Sequence, residues 1–70
     1  MDLYIFESIS LRIAAFIRAK DMNEAREKLE RAKKEKEVLG NFGHKTTIPG
    51  NRNFTIGHLN LSQDEAWYID

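Results

Sequence analysis

The stretch Asp21–Leu39, DMNEAREKLERAKKEKEVL, limits what this chain can fold into more than any other part of it. Met22, Ala25, Leu29 and Ala32 recur at helical spacing, which predicts an amphipathic helix of about 18 residues with a narrow apolar stripe. Asp21 stands where a short carboxylate can accept from the unpartnered N–H groups of a first turn. Glu24, three residues on, completes a capping-box pattern. Glu24–Lys28, Glu27–Arg31 and Glu30–Lys34 each place the acid four residues before the base, the favourable order on a helix. Lys33, Lys34 and Lys36 gather toward the C-terminal end, where the helix dipole favours cations. Gly40 is the expected left-handed residue beyond the last turn.

So narrow a stripe cannot bury itself and needs a sheet beneath it. The chain has 70 residues, and a domain of that size hides only ~60% of its unfolded surface, so residues 1–70 are read as one compact domain. There is no cysteine, hence no disulfide staple and no thiolate metal site. His44 and His58, the two histidines, have no cysteine or close carboxylate pair beside them, so no metal and no cofactor is expected. No apolar run approaches the ~18 residues that would span a bilayer. Asp2 and Glu7 near the start, without a basic region, do not fit a secretory leader. A cytoplasmic protein is expected, and the sequons at Asn53 and Asn60 carry no meaning in that setting.

Residues 2–20 read DLYIFESISLRIAAFIRAK. From Ile9 to Ala19 the odd positions are apolar and the even positions are largely polar, the period of a strand with one buried face. Extended throughout, the segment would be about 60 Å long, whereas a domain this small has a radius of gyration near ~11 Å. It must bend. Glu7-Ser8 offers no Gly, Pro, Asn or Asp for a tight hairpin, so a bulge or bend is expected there, with strands at Leu3–Phe6 and Ile9–Ala19 and their pairing left open. After the helix, Lys45–Ile48 reads as a short strand. Pro49-Gly50-Asn51 reads as a turn, and Asn53–Leu61 as a returning strand with a bulge at Gly57-His58. Ser62 to Glu65 resembles another cap, so one helical turn carrying Trp67, Tyr68 and Ile69 is expected at the end. The fold class is therefore α+β: a small antiparallel sheet of three to four strands with one long amphipathic helix packed on one face. The expected inward set is Ile9, Leu11, Ile13, Ile17, Leu29, Ile48, Phe54, Ile56 and Leu59, with Met22 and Ala25 on the helix.

Eleven basic residues balance eleven acidic ones. That balance argues against a general nucleic-acid binder, which carries a positive excess, and against an acidic nucleic-acid mimic. It also leaves little charge repulsion between copies, so a homodimer is compatible with it. Two surfaces stand out. The even face of the first long strand presents Arg12, Phe16, Arg18 and Lys20, cations around an aromatic ring. The tail presents Trp67 and Tyr68 with Asp70, and such aromatics dominate protein interfaces. These seven residues are the candidate partner-binding set. The expected activity is non-enzymatic binding of a larger protein or ribonucleoprotein complex, with no catalytic residue. Nucleic acid on the basic sheet face is the alternative, since stacked bases and phosphates suit such a face. The helix surface from Lys33 to Glu37 is a further place to look.

Two resemblances bear on this. The passage from Ile17-Arg18-Ala19-Lys20-Asp21 into Asn23-Glu24-Ala25, together with short length, one domain and no cysteine, resembles small phage-encoded inhibitors of host defence of the anti-CRISPR kind. That likeness implies steric blocking of a host defence or nuclease complex and carries over no individual residue. His44-Lys45-Thr46-Thr47-Ile48-Pro49-Gly50, followed by Gly57-His58-Leu59, resembles the strand-and-turn region of HicA-type ribonuclease toxins. By that likeness His44 alone would be catalytic, although the preceding order of elements differs.

Overall fold

The computed structural model describes residues 1–50, 61 and 63–70. Four strands, β1 (Asp2–Ser8), β2 (Ile13–Ala19), β3 (Gly43–Ile48) and β4 (Glu65–Ile69), form one sheet in the order β3-β1-β2-β4. Among the described residues a single helix, α1 (Met22–Glu35), packs across β2 and β4. The fold is α+β, as the sequence implied. Two details differ. The helix has 14 residues and is not the longer element expected. The sheet is mixed, because β4 runs parallel to β2 while β1 is antiparallel to both β2 and β3. The expected strand over residues 53–61, with its Gly57-His58 bulge and the inward positions Phe54, Ile56 and Leu59, lies outside the described residues, apart from Leu61.

The helix begins as its cap residues dictate. Asp21 Oδ1 accepts from the Glu24 N–H at 2.8 Å, and Glu24 Oε1 accepts from the Lys20 N–H at 3.0 Å. The reciprocal bond thus lands one residue before the capping residue. Lys28 donates to the Arg18 carbonyl at 2.7 Å, tying the helix to the end of β2, and lies 3.8 Å from Glu24. Glu30 pairs with Lys33 at 3.6 Å, not with Lys34.

The helix ends earlier than expected, and without glycine. Glu37 takes the left-handed conformation at φ 55. Its N–H reaches the Lys34 carbonyl at 3.2 Å, and the Val38 N–H reaches Lys33 at 2.9 Å, the two bonds of a Schellman motif. Left-handed backbone crowds the Cβ of an L-residue, so Glu37→Gly is expected to stabilise the protein by about 1 kcal/mol, read as a raised urea midpoint. An unchanged or lowered midpoint would show that Glu37 carries no such strain.

Residues 2–20 form a hairpin: two strands as expected, paired with each other, with the break after Ser8 and not at Glu7-Ser8. Asp2 pairs with Ala19 and Ser8 with Ile13, leaving Ile9–Arg12 as the loop. The Arg12 N–H bonds to the Ile9 carbonyl at 3.3 Å, and Arg12 itself is left-handed at φ 55. This register pairs even positions of β1 with odd positions of β2. Tyr4, Phe6, Ile13, Ala15, Ile17 and Ala19 therefore share the face under the helix with Ala25, Leu29, Ala32 and Trp67. The other face is buried too, by Leu3, Ile5, Ala14 and Phe16 with Ile48, Leu61 and Ala66 against them. Ile13, Ile17, Leu29 and Ala25 are buried as expected, Met22 packs against the same cluster, and Ile48 is half-buried. Ile9 and Leu11 are not inward. They lie at the hairpin tip and are 73% and 38% exposed.

The C-terminal segment is a strand, not a helical turn. Ala-Trp-Tyr-Ile is rich in residues that suit a pleated surface, and β2 supplies a partner running from Ile13 opposite Glu65 to Ile17 opposite Ile69. Gly50 closes the other edge of the fold. Its N–H bonds to Asp2 Oδ1 at 3.1 Å, and a Cβ there would fall 2.1 Å from the Met1 carbonyl oxygen, so only glycine fits without backbone movement.

Candidate interaction surface at the β4 edge

The seven residues singled out by sequence divide into three groups. Arg12 is in the hairpin loop, at the opposite end of β2 from Arg18 and Lys20. Its guanidinium donates to Asp64 at 2.7 Å, and its carbonyl accepts from the Asp64 N–H at 2.7 Å and the Glu65 N–H at 3.2 Å. Arg12 thus seats the start of β4. The hydrogen bond and charge of Asp64 raise the Arg12 pKa, and the Arg12 bond holds the Asp64 carboxyl below its ordinary range. This is structural work, and it removes Arg12 from a shared face with Phe16.

Trp67 is also structural. It is 3% exposed and lies in the core beneath the helix. Its indole N–H donates to the Glu65 carboxylate. Its ring sits 5.3 Å from that of Phe42, and Lys36 Nζ lies 5.3 Å above it. Lys33 stands 5.9 Å from the Phe42 ring. The aromatic pair and its two lysines pin the end of α1 and the following loop onto β4.

The remaining residues converge. Parallel pairing sets Phe16 opposite Tyr68, and their rings stack at 5.2 Å with an interplanar angle of 13°. Phe16 is 3% exposed, whereas Tyr68 is 71% exposed. Two residues along, Arg18 Nε lies 3.7 Å from the Asp70 carboxylate, both side chains being largely solvent-facing. Lys20 is exposed just beyond the end of β2. The sheet-face set and the tail set, far apart in sequence, thus meet at one edge. Phe16 cannot serve there as an open stacking platform, as the nucleic-acid alternative required. It supports Tyr68 from below.

Sequence reading did not foresee what β3 does at the opposite edge. The β1–β3 register shifts between Ile5 and Phe6, so Phe6 faces His44 while Ile5 faces Thr46. The bulge brings His44 and Thr47 to one side, with His44 Nε2 and Thr47 Oγ1 2.8 Å apart. The imidazole packs edge-on to Phe6 at 5.6 Å, and Arg26 lies 5.7 Å from the same ring. No carboxylate orients the other imidazole nitrogen among the described residues, so the constellation lacks the third member of an acid–base relay. No cluster of metal-ligating side chains occurs among the described residues, and no described helix is long and apolar enough to cross a membrane.

No family model, no curated protein and no solved structure matches this chain.

Proposed function

We propose that this chain is a non-enzymatic protein-binding module that engages a larger protein through the β4 edge. The observation that carries this reading is Tyr68, an exposed aromatic ring held flat against a buried one. A ring fixed in this way loses little side-chain entropy on binding, and Tyr and Arg are favoured anchors of protein interfaces. Arg18, Asp70 and Lys20 supply a polar rim around it. Among the described residues β4 is also a terminal strand of the sheet, so its outer backbone groups are suited to pairing with an extended segment of a partner. The mechanism is steric: a rigid edge occupies a site that the partner needs. The more concrete form, a phage or mobile-element inhibitor of a host defence or nuclease complex, rests on the resemblance in size and in the strand-to-helix passage.

The test is capture from host lysate by immobilised wild type beside Tyr68→Ala and Arg18→Glu, both of which change exposed side chains. A specific partner should be retained at least about tenfold less by each variant, the effect of losing one interface anchor. Equal retention by Tyr68→Ala would remove the β4 edge from the proposal.

A further inference from the structure

The helix packs across β2 and β4, so the sheet beside it, over β1 and β3, is left to side chains. Arg26 and His44 meet there on the Phe6 ring. The guanidinium lies 5.7 Å and the imidazole 5.6 Å from the ring centre, and Phe6 is fully buried. The register shift between Ile5 and Phe6 sets His44 opposite Phe6. Bulges recur beside functional sites because they re-aim a side chain in this way.

Both groups are exposed, and both keep hydrogen-bonding capacity that the fold does not use. A guanidinium over a ring face has its N–H groups in its own plane, free to donate outward. Arg26 makes no ion pair among the described residues, and residues 51–62 contain no Asp or Glu that could make one. Acids on the neighbouring elements are engaged. Glu30, one turn along α1, is 3.6 Å from Lys33, and Glu7 is 3.6 Å from Lys45. Asp21 accepts the Glu24 N–H, and Asp2 accepts the Gly50 N–H. The positive charge of Arg26 is therefore uncompensated locally. His44 Nε2 is 2.8 Å from Thr47 Oγ1. With that hydroxyl donating, the ring carries its proton on Nδ1, which then faces outward chemistry as a donor.

A fixed guanidinium fork beside an imidazole N–H suits an oxyanion, and the fork matches two oxygens of a phosphate. We propose that Arg26 and His44, held on Phe6, form a binding site for a phosphate group, with Thr47 as the positioning residue that fixes the imidazole tautomer. The Phe6 and Tyr4 rings are buried and leave no face for a base to stack on, so the site grips the phosphate group and not what it is attached to. The site is separate from the β4 edge and stands or falls without it.

Proton NMR of the full chain at fixed pH tests this, with inorganic phosphate and adenosine monophosphate as probes. The ring-proton resonance of His44, identified by its loss in His44→Gln, should shift saturably with both probes. Half-saturation is expected at about 1–10 mM, what one or two charge-assisted bonds supply at an exposed site. Sodium chloride at matched ionic strength should not reproduce the shift. Arg26→Gln should weaken binding at least about tenfold, whereas Arg18→Gln, at the β4 edge, should bind as the wild type does. Thr47→Val should weaken binding and, before any phosphate is added, move the imidazole nitrogen shifts toward a mixture of tautomers. No shift up to ~50 mM phosphate overturns the proposal. So does a shift that chloride reproduces, one that Arg26→Gln leaves unchanged, or binding of the nucleotide without binding of phosphate.

Discussion

Trp67→Ala is expected to lower stability by about 3–5 kcal/mol, the range for removing a large aromatic from a packed interior. A chain of this length has roughly 4–10 kcal/mol in total, so the loss is about a third of it or more. The reason lies in where β4 sits. It has five residues, and its anchorage is lateral pairing with β2, the Arg12–Asp64 bonds at its start, and the indole wedged between Phe42 and the helix. Removing the indole leaves Phe42 without its partner and Lys36 without the ring it covers. Urea unfolding followed by far-UV circular dichroism measures the effect, and a loss below ~1 kcal/mol would mean that the site collapses around the smaller side chain. Trp67→Phe, which keeps much of the volume, should retain most of the stability. The pair also guards the functional proposal: a binding defect in Trp67→Ala would report a displaced β4, whereas one in Tyr68→Ala, at an exposed position, would report the interface.

Ala25→Leu should cost about 1–3 kcal/mol even though leucine is almost as good a helix former as alanine. Ala25 is fully buried against a sheet face that carries Ala15 and Ala19, themselves fully buried. Three small side chains let α1 lie close to the sheet, and an isobutyl group there must push the helix outward or force strained rotamers. A urea midpoint equal to that of the wild type would show that the layer has unfilled space.

The inward set shows how far sequence pattern reaches. Ile13 and Ile17 read correctly because alternation within β2 is a property of seven consecutive residues. Ile9 and Leu11 continued the same odd-numbered series and yet stand at the hairpin tip. Carrying one phase through Ile9–Ala19 assumed that the second strand began at Ile9, whereas it begins at Ile13. The hairpin instead pairs Tyr4 with Ile17 and Phe6 with Ala15, and that register moved Tyr4 and Phe6 under the helix and buried both sheet faces. The loop itself was obscured because it lacks turn-forming residues. Arg12 accepts a left-handed backbone that its type disfavours, held by bonds to Asp64 and Glu65 more than fifty residues away. Phe16 and Trp67 were read as presented side chains, and both are buried, because β2 and β4 lie beside each other in a way no local pattern records.

What the sequence determined alone is what is decided within one or two turns of chain: a helix beginning at Asp21, its cap, its stripe of Ala25, Leu29 and Ala32, and the extended nature of the segments on either side of the Ile9–Arg12 loop. These follow from hydrogen bonds and side-chain neighbours three or four residues apart. The tertiary structure decided the rest. Strand register, the strand conformation of Glu65–Ile69, the early helix stop at Glu37 and the meeting of Phe16 with Tyr68 each depend on groups brought together after long loops close. Such pairings are specified by mutual burial and not by local spacing. The candidate surface belongs to that second class: Arg18, Tyr68 and Asp70 were visible as residues, and only the parallel pairing of β2 with β4 made them one edge.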